Sequence, residues 1–310
     1  MNLVTIIWSM TASAGLTLAV IKPLVWFQKR TTWAAMRRHR LLHVLVLVIF
    51  VAALMLPGDV LAGTEEEQFP DRFGIRLGGF YIKDADSTLR QDLANSPGGR
   101  YVDFHDTLGG DNKTTVWRLD GIYRFNERHA LTFSWYDSKF TGSTVLDQDL
   151  VLPRQTFLKG TQIDSNLEID TYKLSYQYSV YHNDTIELAI SAGLHKTHVS
   201  ESITASGTGQ YSSSSINAPL PVLGLFLDYK ITPRFSAFYN HQVFFVNYND
   251  KIKGELQDLL FGLEYRVFRN VALGAAYNTS SIHLTVQKTA ATFYFDANWS
   301  GELLYAAVYF

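Results

Sequence analysis

The sequence predicts an all-β protein: a transmembrane antiparallel up-and-down β-barrel of about ten strands, with eight or twelve as alternatives, preceded by an N-terminal signal or hydrophobic helix. Three observations carry this expectation. Apolar and polar residues alternate with a period of two through much of the chain after Arg72, which is strand spacing and not helical spacing. Short turns and long polar segments alternate between these stretches, the asymmetry of a membrane barrel with tight connections on one side and long loops on the other. A basic region followed by an unbroken apolar run stands near the start, as in secreted chains.

Residues 1–35 read as a hydrophobic extension, with an apolar segment from Leu3 to Phe27 broken at Lys22-Pro23. Arg37-Arg38-His39-Arg40 precedes the run from Leu41 to Leu56, and Pro57-Gly58 and Val60-Leu61-Ala62 follow. Residues 36–62 therefore read as a secretory signal peptide cut after Ala62. A signal peptide does not ordinarily begin so far into a chain, and Met36 stands directly before the basic region, so translation is expected to start at either Met1 or Met36. Residues 63–71, with Glu65-Glu66-Glu67, form a short periplasmic leader, and residues 72–310 form the barrel.

The first strand, about Arg72 to Lys83, sets Phe73, Ile75, Leu77, Gly79 and Tyr81 against Gly74, Arg76, Gly78 and Phe80. The hairpin from Val116 to Asp137 shows the plan most clearly. Trp117, Leu119, Tyr123 and Phe125 lie on one face and Arg118, Asp120, Ile122 and Arg124 on the other; after the link Asn126 to His129, Leu131, Phe133 and Trp135 resume the apolar face. In the next hairpin Tyr172, Leu174, Tyr176, Tyr178 and Val180 alternate with Thr171, Lys173, Ser175, Gln177 and Ser179; Ile186, Leu188, Ile190, Ala192 and Leu194 return after His182-Asn183-Asp184. A third hairpin turns at Thr232-Pro233-Arg234, where proline is at home because it cannot donate to a ladder. A fourth turns at Arg269-Asn270, and a final strand carries Leu304, Ala306, Val308 and Phe310 on one face. One strand, four hairpins and one strand make about ten. The segments 84–113, 141–167 and 200–217 are expected as long loops.

Composition narrows the function classes. The chain has no cysteine, which removes disulfides, thiol nucleophiles and thiolate metal sites. A net charge of −2 without a basic patch gives no electrostatic case for nucleic acid. Mean hydropathy lies near zero, as alternating barrel strands average out, whereas a helical membrane protein would be far more apolar.

From Phe73 to Phe310 the chain resembles the OmpA-like, porin-type superfamily of small outer-membrane β-barrels, and especially its uncharacterised bacterial members. The carrying residues are the Phe73-Gly74-Ile75-Arg76 opening, the TVWRLDGIYRFNERHALTFSWYD hairpin, Asp170-Thr171-Tyr172-Lys173-Leu174, Ala218-Pro219-Leu220-Pro221-Val222-Leu223-Gly224 and the Gly301 to Phe310 end. The resemblance implies a bacterial outer-membrane location. It also implies partners: outer-membrane lipid and lipopolysaccharide, and the barrel-assembly machinery, whose C-terminal signal the last strand resembles through Leu304, Ala306, Val308 and Phe310. It implies no activity, because folds of this kind host unrelated functions.

With this parity the inward face carries Arg76, Arg118, Asp120, Arg124, Lys173, Glu187, Asp228, Lys230, Glu264 and Arg266. Buried charges persist when paired, so the leading expectation is a salt-bridged, largely plugged lumen in a non-enzymatic barrel whose long loops do the surface or structural work. The alternative is a narrow porin-like channel, for which the cationic excess of that set would select anions. A third reading is an outer-membrane enzyme. His198 and Ser200, followed by Glu201, faintly resemble the arrangement of lipid A deacylases, and Asp84, Asp86, Asp103, His105 and Asp106 stand where omptin-like proteases carry acids and a histidine, without matching their pattern. Those carboxylates could also hold a divalent cation shared with lipopolysaccharide phosphates. No cofactor is expected, and His195 and His198 lie on opposite strand faces and cannot share an ion.

Overall fold

The computed structural model describes residues 71–93, 101–152, 155–248, 252–287 and 291–309. The expected hydrophobic extension, signal peptide, all of the leader but Asp71, and Phe310 lie outside them. Alternation sets the architecture: wherever apolar and polar residues trade places every second position, the backbone is extended. In chain order the strands are β1 (Phe73–Leu93), β2 (Tyr101–Asp103), β3 (Thr114–Arg124), β4 (His129–Val145), β5 (Leu150–Val151), β6 (Thr156–Phe157), β7 (Gln162–His182), β8 (Ile186–Ala205), β9 (Tyr211–Thr232), β10 (Phe235–Tyr248), β11 (Ile252–Phe268), β12 (Val271–Gln287) and β13 (Ala291–Tyr309).

Ten of these, namely β1, β3, β4 and β7 to β13, pair antiparallel in chain order, and β13 returns to β1 from Gly74↔Tyr309 upward, so the sheet closes on itself as an up-and-down barrel. β2 adds a short outer pairing to β1, and β5 pairs with β6 in a small hairpin between β4 and β7. The short turns have local causes. The Asn126 side chain accepts from the backbone N–H groups of Arg128 and His129, that of Asn183 from Thr185 and Ile186, and the Thr232 hydroxyl from Arg234 and Phe235. These side-chain caps close a turn without a long loop.

The strands are longer than the alternation of outward apolar residues suggests. Segments expected as loops are largely strand: β1 runs to Leu93, β4 to Val145, β7 starts at Gln162, β8 runs to Ala205 and β9 starts at Tyr211. Except at a bulge on β1 between Ile82 and Asp84, their parity continues, but their polarity does not. On β7, Tyr172, Leu174, Tyr176 and Val180 face outward below, while Asp170, Glu168, Asn166, Asp164 and Gln162 take the same face above; inside, Thr171, Lys173, Ser175, Gln177 and Ser179 give way to Ile169, Leu167 and Ile163. The exchange recurs at Leu194/Lys196 on β8, Leu259/Gln257 on β11, Tyr277/Thr279 on β12 and Leu304/Glu302 on β13. Registers align these points around the wall, through Trp135↔Tyr172, Tyr172↔Lys196, Thr279↔Leu259, Tyr277↔Glu302 and Tyr81↔Glu302.

The barrel is thus two stacked halves. The half next to the short turns is apolar outside, edged above by exposed Tyr81, Trp117, Trp135 and Tyr172 and below by Tyr123, Phe125, Tyr181, Tyr265 and Phe268, the two girdles of a bilayer-spanning wall. From Tyr172 to Val180, about nine residues at ~3.3 Å each and a ~45° tilt project about 20 Å on the bilayer normal, and the girdle rings extend this toward the usual ~25 Å band. The half next to the long loops is polar outside and contains the hydrophobic core: Phe80, Ile82, Tyr136, Phe140, Ile163, Leu256, Ile282, Trp299 and Leu303 are each at most 4% exposed. Complete burial of one such side chain contributes about 1.5–3 kcal/mol, so this half adds a packed core to the wall that it shares with the lower half.

The segment between β2 and β3 packs into that core. Phe104 and Leu108 belong to the same buried cluster as Tyr136, and backbone bonds from Asp111 to Thr141, Gly110 to Phe104 and Ala85 to Asn112 tie the segment between β1 and β4. Gly109 turns there at a φ of 65°, and a Cβ on Gly110 would lie 2.2 Å from the Phe104 ring, so both positions need glycine.

Candidate functional site: the polar lumen and its seal

All ten charged residues expected on the inward parity project into the lower half of the barrel, and most are brought together in pairs. Arg76 Nε lies 3.1 Å from Glu264 Oε2, which also accepts from the hydroxyls of Tyr305 and Tyr309 at 3.0 and 2.7 Å. The Arg76 guanidinium sits 4.7 Å from the Phe238 ring centroid, so its face is covered as well as its edge. Arg118 Nε is 2.9 Å from Asp120 Oδ2, and its Nη1 donates to Asn278 Oδ1 at 2.9 Å. Arg124 meets Glu187 through two contacts, one of them 2.7 Å, and the Ser179 hydroxyl donates to the same carboxylate. Lys173 Nζ stands 2.7 Å from Asp258 Oδ1, and Arg266 pairs with Asp71. Lys230 lines the same space. Asp228 is the exception: it lies among these groups without a direct ion pair.

Two acids of this network, Asp71 and Asp258, are absent from the inward set expected from the sequence. Asp258 shares the parity of Glu264 and is legible on that ground, but it stands where β11 passes from outward-apolar to outward-polar. Asp71 precedes the first strand and gives no periodic signal. Adding both raises the four acids to six against six cations, which removes the cationic excess on which anion selection would rest.

Above the ion pairs the lumen is shut. Arg118 lies beneath the Phe80 and Tyr136 rings, Trp299 Nε1 donates to Tyr136 Oη at 3.2 Å, and the hydrophobic core fills the section beyond. Below them a polar cavity of about 130 Å³ opens among Asp71, Thr232, Pro233 and Arg234 at the short-turn end.

The residues weighed for chemistry are kept apart. His198 faces outward on β8, where its Nδ1 contacts Asn217 Oδ1 at 2.9 Å, and Ser200 shares that face, but Glu201 points to the interior between Val199 and Ile203. Burial pushes the Glu201 carboxyl up to about 7. A strand cannot bring such neighbours onto one face, so no His, Ser and acid converge there. His195 is buried on the inner face, opposite His198. Asp84 and Asp86 project outward from β1. His105 Nδ1 lies 2.6 Å from the Gly110 carbonyl, a bond that raises its pKa, while the Asp106 N–H donates to Asp103 Oδ1 at 2.7 Å. Among the described residues no three His, Asp or Glu side chains converge as a metal site would require. Leu304, Ala306 and Val308 face outward on β13.

No family model matches the chain, and no curated protein matches it. Solved structures do. The outer membrane protease OmpT from Escherichia coli is 11% identical over 82% of this chain and 100% of its own, with a TM-score of 0.50. This chain has the fold of an outer-membrane β-barrel. The attachment invasion locus protein Ail of Yersinia pestis (12% identity, 75% of this chain and 97% of its own, TM-score 0.29) and the toluene transporter TodX of Pseudomonas putida (9%, 78% and 91%, 0.34) also align, more loosely. At such identities the likeness concerns the fold alone.

Proposed function

We propose that the chain is a non-enzymatic barrel of the bacterial outer membrane, sealed to solutes, whose role is structural or surface-interacting and is exercised by the half that carries the long connections. The single observation behind this reading is the exchange of polarity part-way along β7, β8, β11, β12 and β13. It puts a packed apolar core where a channel would need water and a polar, rigid exterior where a partner would meet it. Outer-membrane lipid and lipopolysaccharide would surround the apolar belt, and the outward row Leu304, Ala306, Val308 with Phe310 would be offered to the barrel-assembly machinery. Among the described residues the enzymatic reading finds no converged site, and the channel reading finds neither an open path nor an excess of one charge.

Planar-bilayer recordings on the refolded full chain test the reading. The expected result is a baseline without resolved channel events. Steady unitary conductance would overturn it in favour of a porin-like channel. Lipid A species identical with and without expression are expected from mass spectrometry, and a changed acyl pattern would restore the enzyme.

A further inference from the structure

The cavity at the short-turn end has a lining that the ion pairs do not complete. Setting aside Lys173 Nζ, which is paired with Asp258, and the Ser134 hydroxyl, which faces the Asp120 carboxylate, five buried polar atoms of the lining residues have no hydrogen-bond partner in the protein: Arg124 Nε, Gln177 Nε2, Asp228 Oδ1, Asn240 Oδ1 and Gln242 Oε1. Gln177, Gln242 and Arg124 are 2%, 5% and 6% exposed, so bulk solvent does not reach them directly. A buried donor or acceptor left unmade costs about 1–3 kcal/mol. Five around one polar cavity therefore call for an occupant.

The chemistry of that occupant follows from the five atoms and their neighbours. Two are donors and three are acceptors, and they come from β3, β7, β9 and β10, so the occupant is met from several sides by groups of both kinds. The cations beside them, Arg76, Arg118, Lys173 and Arg266, are engaged by carboxylates, and the lining charges without a direct ion pair, Asp228 inside and Arg234 at the mouth, are opposite in sign, so the lining offers an incoming ion of either sign no excess charge to offset its lost hydration. A volume of about 130 Å³ corresponds to about four waters, or one solute of glycerol size. The far end is stopped by the Tyr136 and Trp299 layer.

We propose that the lower lumen is a blind cup, open at the short-turn end, that binds small neutral solutes carrying both hydrogen-bond donors and acceptors, with water taking their place otherwise. The cup goes beyond the sealed-barrel reading, since it makes the short-turn end a binding surface.

Because the chain lacks cysteine, a single introduced thiol reports one position. In the refolded full chain, Gln177→Cys and Asn240→Cys place thiols in the cup, Leu256→Cys lies in the seal and Ser206→Cys serves as an exposed reference. Iodoacetamide and iodoacetate are nearly the same size and differ in charge, so they test the ligand class directly. With rates normalised to Ser206→Cys, both cup thiols are expected to react about tenfold or more faster with iodoacetamide, a ~1.4 kcal/mol preference. Leu256→Cys is expected to react with neither. Adding Ser236→Trp at the mouth is expected to slow the cup thiols about tenfold. Equal or faster reaction with iodoacetate, no reaction at either cup position, or labelling of Leu256→Cys at the cup rate would each overturn the proposal. Either cup variant suffices if the other does not fold. Bilayer conductance is read separately, so failure of the cup is distinguishable from failure of the sealed barrel.

Discussion

Replacing Glu187 by Gln isolates the contribution of one completed ion pair. The Arg124 and Glu187 side chains are 7% and 0% exposed, joined by two contacts, with Ser179 donating to the same carboxylate. Glu187→Gln keeps the shape and removes the countercharge, leaving a guanidinium in the barrel wall. Breaking a buried pair in this way costs about 3–5 kcal/mol. Arg124 Nε faces the polar cavity, where water can take part of the charge, so the expected loss is about 3 kcal/mol, or ~150-fold in the unfolding equilibrium. The double replacement Arg124→Met with Glu187→Met removes both charges and is expected to return to within about 1 kcal/mol of the parent. Reversible urea unfolding in micelles, followed by tryptophan fluorescence, measures all three proteins. A Glu187→Gln variant within ~1 kcal/mol of the parent, or a double variant no better than the single, would refute the view that the pair exists to neutralise a buried charge.

Two further outcomes follow from the stacked halves. Ile190 lies at the middle of the outer apolar band of β8 and Thr204 on the same face in the upper half, so Ile190→Arg is expected to cost about 2–4 kcal/mol by urea unfolding in lipid, and Thr204→Arg within about 0.5 kcal/mol; equal costs would remove the boundary between the halves. Glu201 is ordinarily ionised above about pH 4.5, but its burial holds the proton up to about 7. The folded state therefore keeps a proton that the unfolded chain releases, and stability falls as pH rises from 4.5 through about 7. Glu201→Gln is expected to abolish that part of the slope and to gain up to about 3 kcal/mol at pH 8; an unchanged slope would mean that the carboxyl is solvated.

The lower half was legible because its two faces differ in the direction familiar from membrane barrels. Trp117 to Phe125, Leu131 to Trp135 and Tyr172 to Val180 announce strands, and Asn126, Asn183 and Thr232 announce the turns. The upper half was equally periodic and went unread because its polarity is reversed. Gln162, Asp164, Asn166 and Glu168 alternate with Ile163, Ser165 and Leu167 as strictly as any stretch in the chain, yet a mostly polar segment between two hairpins has the composition of a loop. The inward charges followed from parity, whereas their pairings did not. Arg124 and Glu187 belong to strands that are not neighbours, and only closure of the wall sets such partners. Asp71 precedes the first strand, where there is no period to follow, and Asp258 keeps the parity of Glu264 but stands where β11 changes its outward polarity.

The exchange of polarity also bears on how the strands find their alignment. In an ordinary two-faced sheet, a slip of one residue is penalised once, by turning the apolar face to the wrong side. A one-residue slip of β7 against β4 would send Lys173 into lipid and Tyr172 into the lumen, while moving Leu167 and Ile169 into water and Glu168 into the core. The two errors arise in different media, so no solvent condition relieves both. Each long strand therefore encodes its own position along its neighbour twice over, once for the bilayer and once for water, and the correct alignment satisfies the two together.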